Sequence, residues 1–186
     1  DDNITIRLAD GLCGIQKDDV DTVTICGMGG KLMKDIIEAG KDRLSNGMQL
    51  ILSPQSEVRE FRAYLLENGI DILSEMMIKD EGKYYFIMDC VYHDMAEGAV
   101  YNNNTHLQGK NAAEYTEEEL RYGRYLIDNH SEVLKEYLDK EYGSFISIQK
   151  SLKEQNVKKP SAAIEKRLQE LEADIEYNRK AELSCC

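Results

Sequence analysis

The sequence predicts an α/β domain built on a partly parallel sheet and followed by an α-helical hairpin. Residues 1–93 alternate short β-rich runs with amphipathic stretches, which is typical of strands separated by helices that pack on a parallel sheet. Residues 112–186 carry apolar side chains at three- and four-residue steps, as paired helices do. Residues 94–111 are polar and aperiodic. We therefore expect two domains with these bounds, joined by a linker.

The composition is that of a globular chain. The 186 residues are 42% hydrophobic and 31% charged, which suits one domain with a smaller appendage. No apolar run reaches the roughly 18 residues that a membrane span needs. The first residues, Asp1 to Asn3, are unlike a signal peptide. These features predict a cytoplasmic protein.

The five cysteines predict no disulfide framework, because their number is odd and three of them lie singly in apolar runs. Cys13, Cys26 and Cys90 are expected to be small buried side chains. Cys185 and Cys186 have no histidine at ligand spacing, so they predict a frayed tail and no metal site.

The net charge of −12 argues against nonspecific binding of polyanions. Residues 1–95 carry a net charge of −8 and residues 96–186 a net charge of −4. Neither half is therefore a basic module, although a local basic patch remains compatible with these totals.

Strands and helices alternate in the first part of the chain. Predicted strands are Ile4 to Leu8, Thr22 to Cys26, and Met48 to Leu52, the last broken by Ser53-Pro54. Between and after them, Gly29 to Ala39 and Glu57 to Asn68 show helical spacing and end at glycines. This order implies parallel strands.

Two further strands, Ile70 to Lys79 and Lys83 to Tyr92, are joined by Asp80-Glu81-Gly82. Such a short connection predicts an antiparallel hairpin. The sheet is therefore expected to end in a mixed edge.

The C-terminal part is predicted to be helical throughout. Thr116 and Glu119 form a capping box before a helix from Leu120 to Ile127. Two long helices follow, Glu132 to about Gln155 and Ala162 to about Leu183, separated at Pro160. Their apolar seams consist of Leu134, Leu138, Phe145, Ile148 and Leu152 in the first, and Ile164, Leu168, Leu171 and Ile175 in the second. The seams serve packing alone, or they build an arm that grips a large substrate.

Candidate ligand-binding residues follow the predicted strands, because open α/β sheets bind ligands at the carboxyl ends of their strands. After the first strand, Asp10 could accept a hydrogen bond from the exocyclic amine of an adenine, and Gly11 would let the chain turn close to it. Equally, Asp10 could cap the next turn.

Three glycines occur in the four residues Gly27-Met28-Gly29-Gly30, directly before a helix. Such a segment brings backbone donors and the positive end of the helix toward a ligand. A dinucleotide-binding fingerprint is the rival interpretation. Leu32 stands where its third glycine should be, and no acidic residue ends a strand about 20 residues later.

Gln55, in the turn after the third strand, could read the edge of a base, while Ser53 to Ser56 could simply cap a helix. Tyr84 and Tyr85 point to opposite faces of a strand, so one ring is expected in the core and the other could stack on a base. His93, His106 and His130 lie in loops or at helix ends and receive no catalytic role.

Four segments are distinctive when taken together with the helical hairpin that follows them: RLADGL (7–12), DTVTICGMGGKLM (21–33), LILSPQSEVREF (50–61) and EMMIKDEGKYYFI (75–87). They resemble a known family, the bacterial tRNA (adenine-N1)-methyltransferases that modify adenosine 22 in the D-arm. The resemblance implies a Rossmann-like, class I domain that uses S-adenosylmethionine, a tRNA substrate, and a C-terminal coiled-coil hairpin.

The resemblance also implies roles for individual residues. Asp10 and Gly11 match positions near the adenine of the cofactor. The loop beside the transferred methyl group and the target base is matched by Gly27, Met28, Gly29 and Gly30. The substrate-binding positions are matched by Pro54, Gln55 and Tyr85, with Ser53 and Gln55 replacing the family's glutamine and asparagine and Phe86 replacing an acid.

In the class I strand order, 3-2-1-4-5-7-6, the first two strands hold the methionine end and the ribose of the cofactor. They would precede Asp1, so we expect a sheet lacking them, an unpaired Ile4 to Leu8 strand and weak cofactor binding by this chain. The alternative is a non-catalytic coiled-coil interaction module on a degenerate α/β domain. A third possibility is a nicotinamide-dependent reductase, which the spacing of the glycines disfavours.

Overall fold

The computed structural model of the chain describes residues 4–94 and 114–185. The predicted linker, residues 94–111, lies almost entirely outside the described residues. The chain divides into two compact units, one formed by Asp1–Met76 with Tyr85–Tyr115 and the other by Met77–Tyr84 with Thr116–Cys186. The tip of the last strand pair therefore belongs to the helical unit.

A four-stranded sheet with two helices builds the first unit. The strands are β1 (Thr22–Met28), β2 (Gln49–Pro54), β3 (Ile70–Asp80) and β4 (Lys83–Tyr92), in the order β1-β2-β4-β3. Strand β1 runs parallel to β2, and β2 runs antiparallel to β4, which confirms the predicted mixed sheet. The order is the one that the resemblance implies for strands four, five, seven and six. The helices are α1 (Gly30–Ala39) and α2 (Val58–Glu67).

One face of this sheet supplies the core. Alternate residues of β1, β2 and β4 are buried, because successive side chains of a strand point to opposite faces. They are buried together with apolar side chains of α1 and α2. The buried set includes Val23, Ile25, Leu50, Leu52, Met88, Met33, Ile37, Phe61 and Leu65. Burying each such side chain contributes about 1.5 to 3 kcal/mol, so this layer fixes both helices on the sheet.

Strands β3 and β4 are joined by the two residues Glu81 and Gly82, which have φ angles of +45° and +79°. Positive φ at both central positions matches the right-handed twist of the strands. The predicted hairpin is thus confirmed, with the turn shorter than expected because β3 continues to Asp80.

The segment Ile4 to Leu8 is not a strand, so that prediction is wrong. Ile4, Ile6 and Leu8 are highly exposed, and no described residue pairs with their backbone. Arg7 instead holds the segment through its guanidinium, which donates to the Gly14 carbonyl at 2.8 Å and to the Asp19 carboxylate at 2.9 Å. The residues of this segment suit a strand, but a strand also needs a neighbouring strand for its hydrogen bonds.

Ser53-Pro54 does not break β2, contrary to expectation, because the strand runs through both residues. Pro54 is the last residue of the strand, paired with Met28, where the missing N–H removes little from the ladder.

Two of the three cysteines that were expected inside are exposed. Cys26 lies on the outward face of β1, and Cys13 lies in the turn before the sheet. Cys90 is buried as predicted, and burial raises the pKa of its thiol. Cys185 is also buried, with its carbonyl 3.0 Å from Nδ1 of His130, so a frayed tail is wrong for this residue. Cys186 lies outside the described residues.

The second unit contains four helices, α3 (Glu117–Tyr122), α4 (Arg124–Asp128), α5 (Glu132–Lys158) and α6 (Ala162–Ser184). The capping box at the start of α3 is confirmed. A single helix from Leu120 to Ile127 is wrong, because Gly123 adopts φ +93° and divides it. The break at Pro160 between the long helices is confirmed.

The residues of the predicted seams of α5 and α6 are buried to different degrees along the hairpin. Leu134, Leu138 and Leu171 are fully buried, whereas Ile148 remains 43% exposed. The hairpin is thus most tightly packed where α3 and α4 also cover it, and its packing loosens toward the turn at Pro160.

A partly buried polar cluster also joins these helices. The Glu141 carboxylate accepts hydrogen bonds from Tyr122 Oη at 2.7 Å, Tyr137 Oη at 3.0 Å and Asn178 Nδ2 at 3.1 Å. Asn178 Nδ2 also donates to the Leu138 carbonyl at 3.1 Å. Burial, followed by the Glu141 charge, raises the pKa of Tyr122, so this tyrosine stays a donor. Hydrogen bonds of fixed direction favour one register of α5 against α6.

A second buried polar contact lies in the first unit, where Arg62 Nε is 2.7 Å from Glu75 Oε1. The two side chains are 0% and 1% exposed, and the guanidinium carbon lies 5.0 Å from the centroid of the Phe86 ring. An unpaired buried charge is far more costly than a paired one. The pair therefore ties α2 to β3 in one arrangement.

Removing one partner, as Arg62→Leu or Glu75→Leu, is expected to lower the free energy of unfolding by about 3 to 5 kcal/mol, because a charge is left buried alone. The double variant should lose less than either single variant. Urea unfolding followed by circular dichroism measures all three. A loss in the double variant equal to the sum of the single losses would contradict this account.

Candidate functional site

The predicted loops Gly27 to Gly30 and Ser53 to Ser56 lie side by side at one edge of the sheet. Strands β1 and β2 are parallel, so their carboxyl ends meet there. Their register pairs Cys26 with Ser53 and Met28 with Pro54, and it shifts between those pairs. Beyond the strands, the Gln55 N–H donates to the Met28 carbonyl at 2.9 Å. The structure therefore brings together two loops that the sequence predicted separately.

Gly29 and Gly30 allow this close approach. A Cβ added to Gly29 would lie 2.6 Å from Ser56 Oγ, and one added to Gly30 would lie 2.8 Å from Phe61 Cβ and 2.9 Å from two carbonyl oxygens. A larger residue at Gly30 would therefore displace the backbone of the second loop, whereas one at Gly29 would displace the Ser56 side chain.

Gly27 serves a different purpose, because its φ of +79° is a conformation that side chains disfavour. A Cβ at this position would meet nothing within 4 Å. Exposed Cys26 precedes Gly27, and Met28 follows it. The open side of Gly27 is the part of the loop that has room for a ligand.

Two backbone donors at the start of α1, those of Gly30 and Lys31, are occupied by acceptors of the second loop. The Gly30 N–H donates to the Ser56 carbonyl at 2.8 Å, and the Lys31 N–H donates to Glu57 Oε2 at 3.2 Å. A carboxylate at the N-terminus of a helix is stabilised by the helix dipole. Glu57 was not predicted as a site residue. It directly precedes α2, and nothing in the local sequence shows that its carboxylate caps α1 instead.

Asp10 and Gly11 are held against the side of α1. Gly11 opens a short 3₁₀ turn, Gly11–Gly14, with φ +50°, and a Cβ there would lie 3.0 Å from Ile36 Cγ2. The Asp10 side chain makes no cap hydrogen bond to this turn; only its carbonyl accepts, from the Cys13 N–H at 3.0 Å. The capping alternative for the Asp10 carboxylate is therefore wrong, and the exposed carboxylate is available as an acceptor.

Helix α1 relates the two parts of the candidate site. Gly30 begins the helix, and Ile36, which contacts Gly11, lies six residues later. At 1.5 Å per residue this separates the two contacts by about 9 Å along the helix axis. A single rigid element therefore positions both the glycine loop and the Asp10-Gly11 turn.

Gln55 is exposed, and Tyr85 is half-buried. Leu52 pairs with Met88 in the antiparallel strands β2 and β4. Gln55 lies three residues after Leu52, just past the end of β2, and Tyr85 lies three residues before Met88 on β4. Both residues therefore lie at the same edge of the sheet as the glycine loop. The roles predicted for Pro54, Gln55 and Tyr85 stay predictions.

Tyr84, on the other face of β4 from Tyr85, packs in the helical unit. Its ring meets the Tyr137 ring edge to face, with centroids 5.3 Å apart. Lys140 Nζ lies 4.8 Å from the centroid of Tyr84. Of the two neighbouring tyrosines, Tyr84 is therefore the one used for packing.

A cleft of about 510 Å³ separates the outer surfaces of α1 and α2. Side chains of both charge signs line it, including Lys31, Lys34, Glu38 and Glu60. Tyr64 closes one side, and burial, followed by the charge of Glu38, raises the pKa of its hydroxyl to about 12. The mixed charges do not single out an anion or a cation as occupant.

Within residues 4–94 and 114–185, no three His, Cys, Asp or Glu side chains gather as ligands of a metal ion. None of the helices described here combines the length and the apolar character needed to cross a bilayer.

Comparisons with known proteins agree on one family. The family model described as TrmK, tRNA (adenine(22)-N(1))-methyltransferase, matches residues 1–173. The tRNA (adenine(22)-N(1))-methyltransferase of Bacillus subtilis is 37% identical over 86 residues, which are 46% of this chain and 36% of that protein. The match thus spans about a third of the curated relative.

Solved structures show the same fold. The crystal structure of the B. subtilis m1A22 tRNA methyltransferase TrmK superposes with a TM-score of 0.74 at 25% identity, covering 96% of this chain and 70% of that one. A Streptococcus pneumoniae protein in complex with S-adenosyl-L-methionine superposes with a TM-score of 0.72 at 24% identity, covering 95% and 67%. The predicted fold class is confirmed.

Gly30→Ala is expected to lower the free energy of unfolding by about 1 to 3 kcal/mol, because the added methyl group meets the second loop. Gly143→Ala, also in a helix, has nothing within 4 Å of its Cβ and should raise it by about 0.5 to 1 kcal/mol. Thermal and urea unfolding measure both. Equal gains in the two variants would show that the loops do not approach as described.

Proposed function

Because the chain belongs to the TrmK family of tRNA (adenine(22)-N(1))-methyltransferases, we propose that the protein transfers a methyl group from S-adenosylmethionine to N1 of adenosine 22 in the D-arm of tRNA. The observation that carries the proposal is the joining of the Gly27–Gly30 loop to the Ser53–Ser56 loop at the edge of the sheet. Helix α1 links that edge to the Asp10-Gly11 turn.

S-adenosylmethionine fits the residues on this part of the chain. The Asp10 carboxylate is exposed and engages no side-chain or backbone donor among the described residues, so it can accept from the exocyclic amine of the adenine moiety. Gly11 brings the backbone close on that side without a side chain. When bound, the cofactor supplies a methyl group already activated by its sulfonium.

The protein's own task is positioning. Adenine N1 carries a lone pair that can attack directly, so no general base has to remove a proton first. Holding the base in line with the methyl group is what lowers the barrier. In this proposal the open side of Gly27 and the flanking Met28 border the place of the base.

The second loop and β4 would hold the base from other sides. Pro54 is buried and stiffens the turn, which limits the positions open to the exposed Gln55 amide. That amide offers a donor and an acceptor, as reading a base edge requires. Tyr85 supplies an aromatic face for a base that has left its stack. A tRNA substrate also implies that the protein is cytoplasmic.

The first experiment uses the whole protein, S-adenosylmethionine and an unmodified tRNA transcript, with methylated nucleosides mapped by mass spectrometry. We expect 1-methyladenosine at position 22 and none in a transcript with guanosine at that position. Methylation at another nucleotide, or equal methylation of both transcripts, would contradict the proposal.

A second experiment tests the cofactor contact. Asp10→Ala should weaken S-adenosylmethionine binding by about 10- to 100-fold, the usual range for a hydrogen bond to a charged group. Asp21→Ala is the matched control, because Asp21 is exposed and precedes the opposite end of β1. Titration calorimetry measures both. An unchanged dissociation constant in Asp10→Ala would exclude Asp10 from the adenine site.

A further inference from the structure

Tyr85, the residue proposed to offer an aromatic face to the target base, lies between two other aromatic residues of β4. Successive side chains of a strand point to opposite faces, so Tyr84 and Phe86 share the face away from Tyr85. Tyr85 is half-buried, whereas Phe86 is only 7% exposed. Contacts that hold these two neighbours therefore also fix the backbone that carries the Tyr85 ring.

Tyr84 is held by side chains of α5. Its ring meets the Tyr137 ring edge to face, with the centroids 5.3 Å apart and the ring planes at 69°. Lys140 Nζ lies 4.8 Å from the centroid of the Tyr84 ring, and it also donates to the Gly82 carbonyl at 3.2 Å. Ring-to-ring and cation-to-ring contacts are directional, so together they restrict the orientation of Tyr84.

Phe86 is held by Arg62 of α2. The guanidinium carbon of Arg62 lies 5.0 Å from the centroid of the Phe86 ring, and Arg62 Nε lies 2.7 Å from Glu75 Oε1. Both charged side chains are almost completely buried. A buried ion pair is weak evidence of added stability, because the cost of desolvating two charges offsets their attraction. The planar guanidinium, fixed by the carboxylate, instead gives the Phe86 ring one defined surface to pack on.

We propose that Tyr84 and Phe86 are positioning residues for methyl transfer, which hold β4 so that Tyr85 presents its ring to the base in one place. The proposal rests on the proposed function, which gives Tyr85 its contact with the base. A base that stacks on Tyr85 reaches the methyl group in line only if that ring stays in place. A misplacement of about 1 Å can lower a rate on the order of 100-fold.

Tyr92 provides a matched control on the same strand. It is 4% exposed and points to the same face of β4 as Phe86, so it too contributes a buried ring. It lies seven residues from Tyr85, which is about 23 Å along an extended strand. Removing the Tyr92 ring should therefore disturb packing without releasing Tyr85.

The first experiment measures steady-state methyl transfer to tRNA by the whole protein. Tyr84→Leu and Phe86→Leu should each lower kcat about 10- to 100-fold and leave KM for S-adenosylmethionine unchanged. Tyr92→Leu should keep kcat. Tyr84→Phe retains the ring that packs on Tyr137, so it should restore most of the rate lost in Tyr84→Leu. Thermal unfolding verifies that every variant is folded at the assay temperature.

The second experiment follows position 85 without catalysis. The chain contains no tryptophan, so Tyr85→Trp introduces a single indole fluorophore. In that background, Tyr84→Leu and Phe86→Leu should make the indole more mobile and lower its time-resolved fluorescence anisotropy. Tyr92→Leu should leave the anisotropy unchanged. A purely structural role of the three rings would instead change all three variants alike.

The outcomes separate this proposal from the one it rests on. An unchanged kcat, or an unchanged anisotropy, in Tyr84→Leu or Phe86→Leu would remove that residue from the positioning role. An equal fall of kcat in Tyr92→Leu would overturn the proposal as a whole, because general loosening of the core would then explain the effect. Absence of methyl transfer by the unsubstituted protein would instead overturn the proposed function, while the anisotropy would still show whether the two neighbours hold position 85.

Discussion

The Glu57 carboxylate, placed at the N-terminus of α1, is the contact on which the arrangement of the candidate site depends. It accepts from the Lys31 N–H at 3.2 Å, next to the Gly30 N–H that donates to the Ser56 carbonyl at 2.8 Å. The first N–H groups of a helix have no partner within it, so a neighbouring loop that supplies acceptors is bound to the helix end. Here the neighbour is the loop after β2, and the result is a single structure made from two loops. Gly29 and Gly30 follow from this constraint, because a Cβ at either position would enter the second loop.

The same helix extends the constraint to the cofactor side. Gly11 packs on Ile36, so the Asp10-Gly11 turn is positioned by α1 although Ile4 to Leu8, which precedes it, forms no strand. An enzyme that methylates adenine N1 has to align a donor and a lone pair, and alignment needs rigid spacing between the two binding places. In this chain the spacing is set by helix geometry.

Local patterns were enough to predict most elements. Short β-rich runs bounded by turn residues predicted β1, β2 and the β3–β4 pair, and helical spacing predicted α1, α2, α5 and α6, because both signals are local in the sequence. Features that depend on distant partners were not predictable in this way. Ile4 to Leu8 has the pattern of a strand but no neighbour, and Arg62 looks like any surface residue of an amphipathic helix until Glu75 is found beside it. At the candidate site, the glycines and Gln55 were found from sequence, whereas Glu57 was missed because its role is to cap a helix 26 residues away.

Amide hydrogen exchange at Gly30 and Lys31 tests this dependence most directly. The account predicts that Glu57→Ala speeds exchange at both amides and at Gln55, whose N–H bonds to Met28 in the same pair of loops, while amides in the centre of β2 keep their protection. Replacing a carboxylate cap by alanine should lower the free energy of unfolding by only about 0.5 to 2 kcal/mol, so the effect would be local. Unchanged exchange at Lys31 and Gln55 in the variant would contradict the account, because the two loops would then be held together without Glu57.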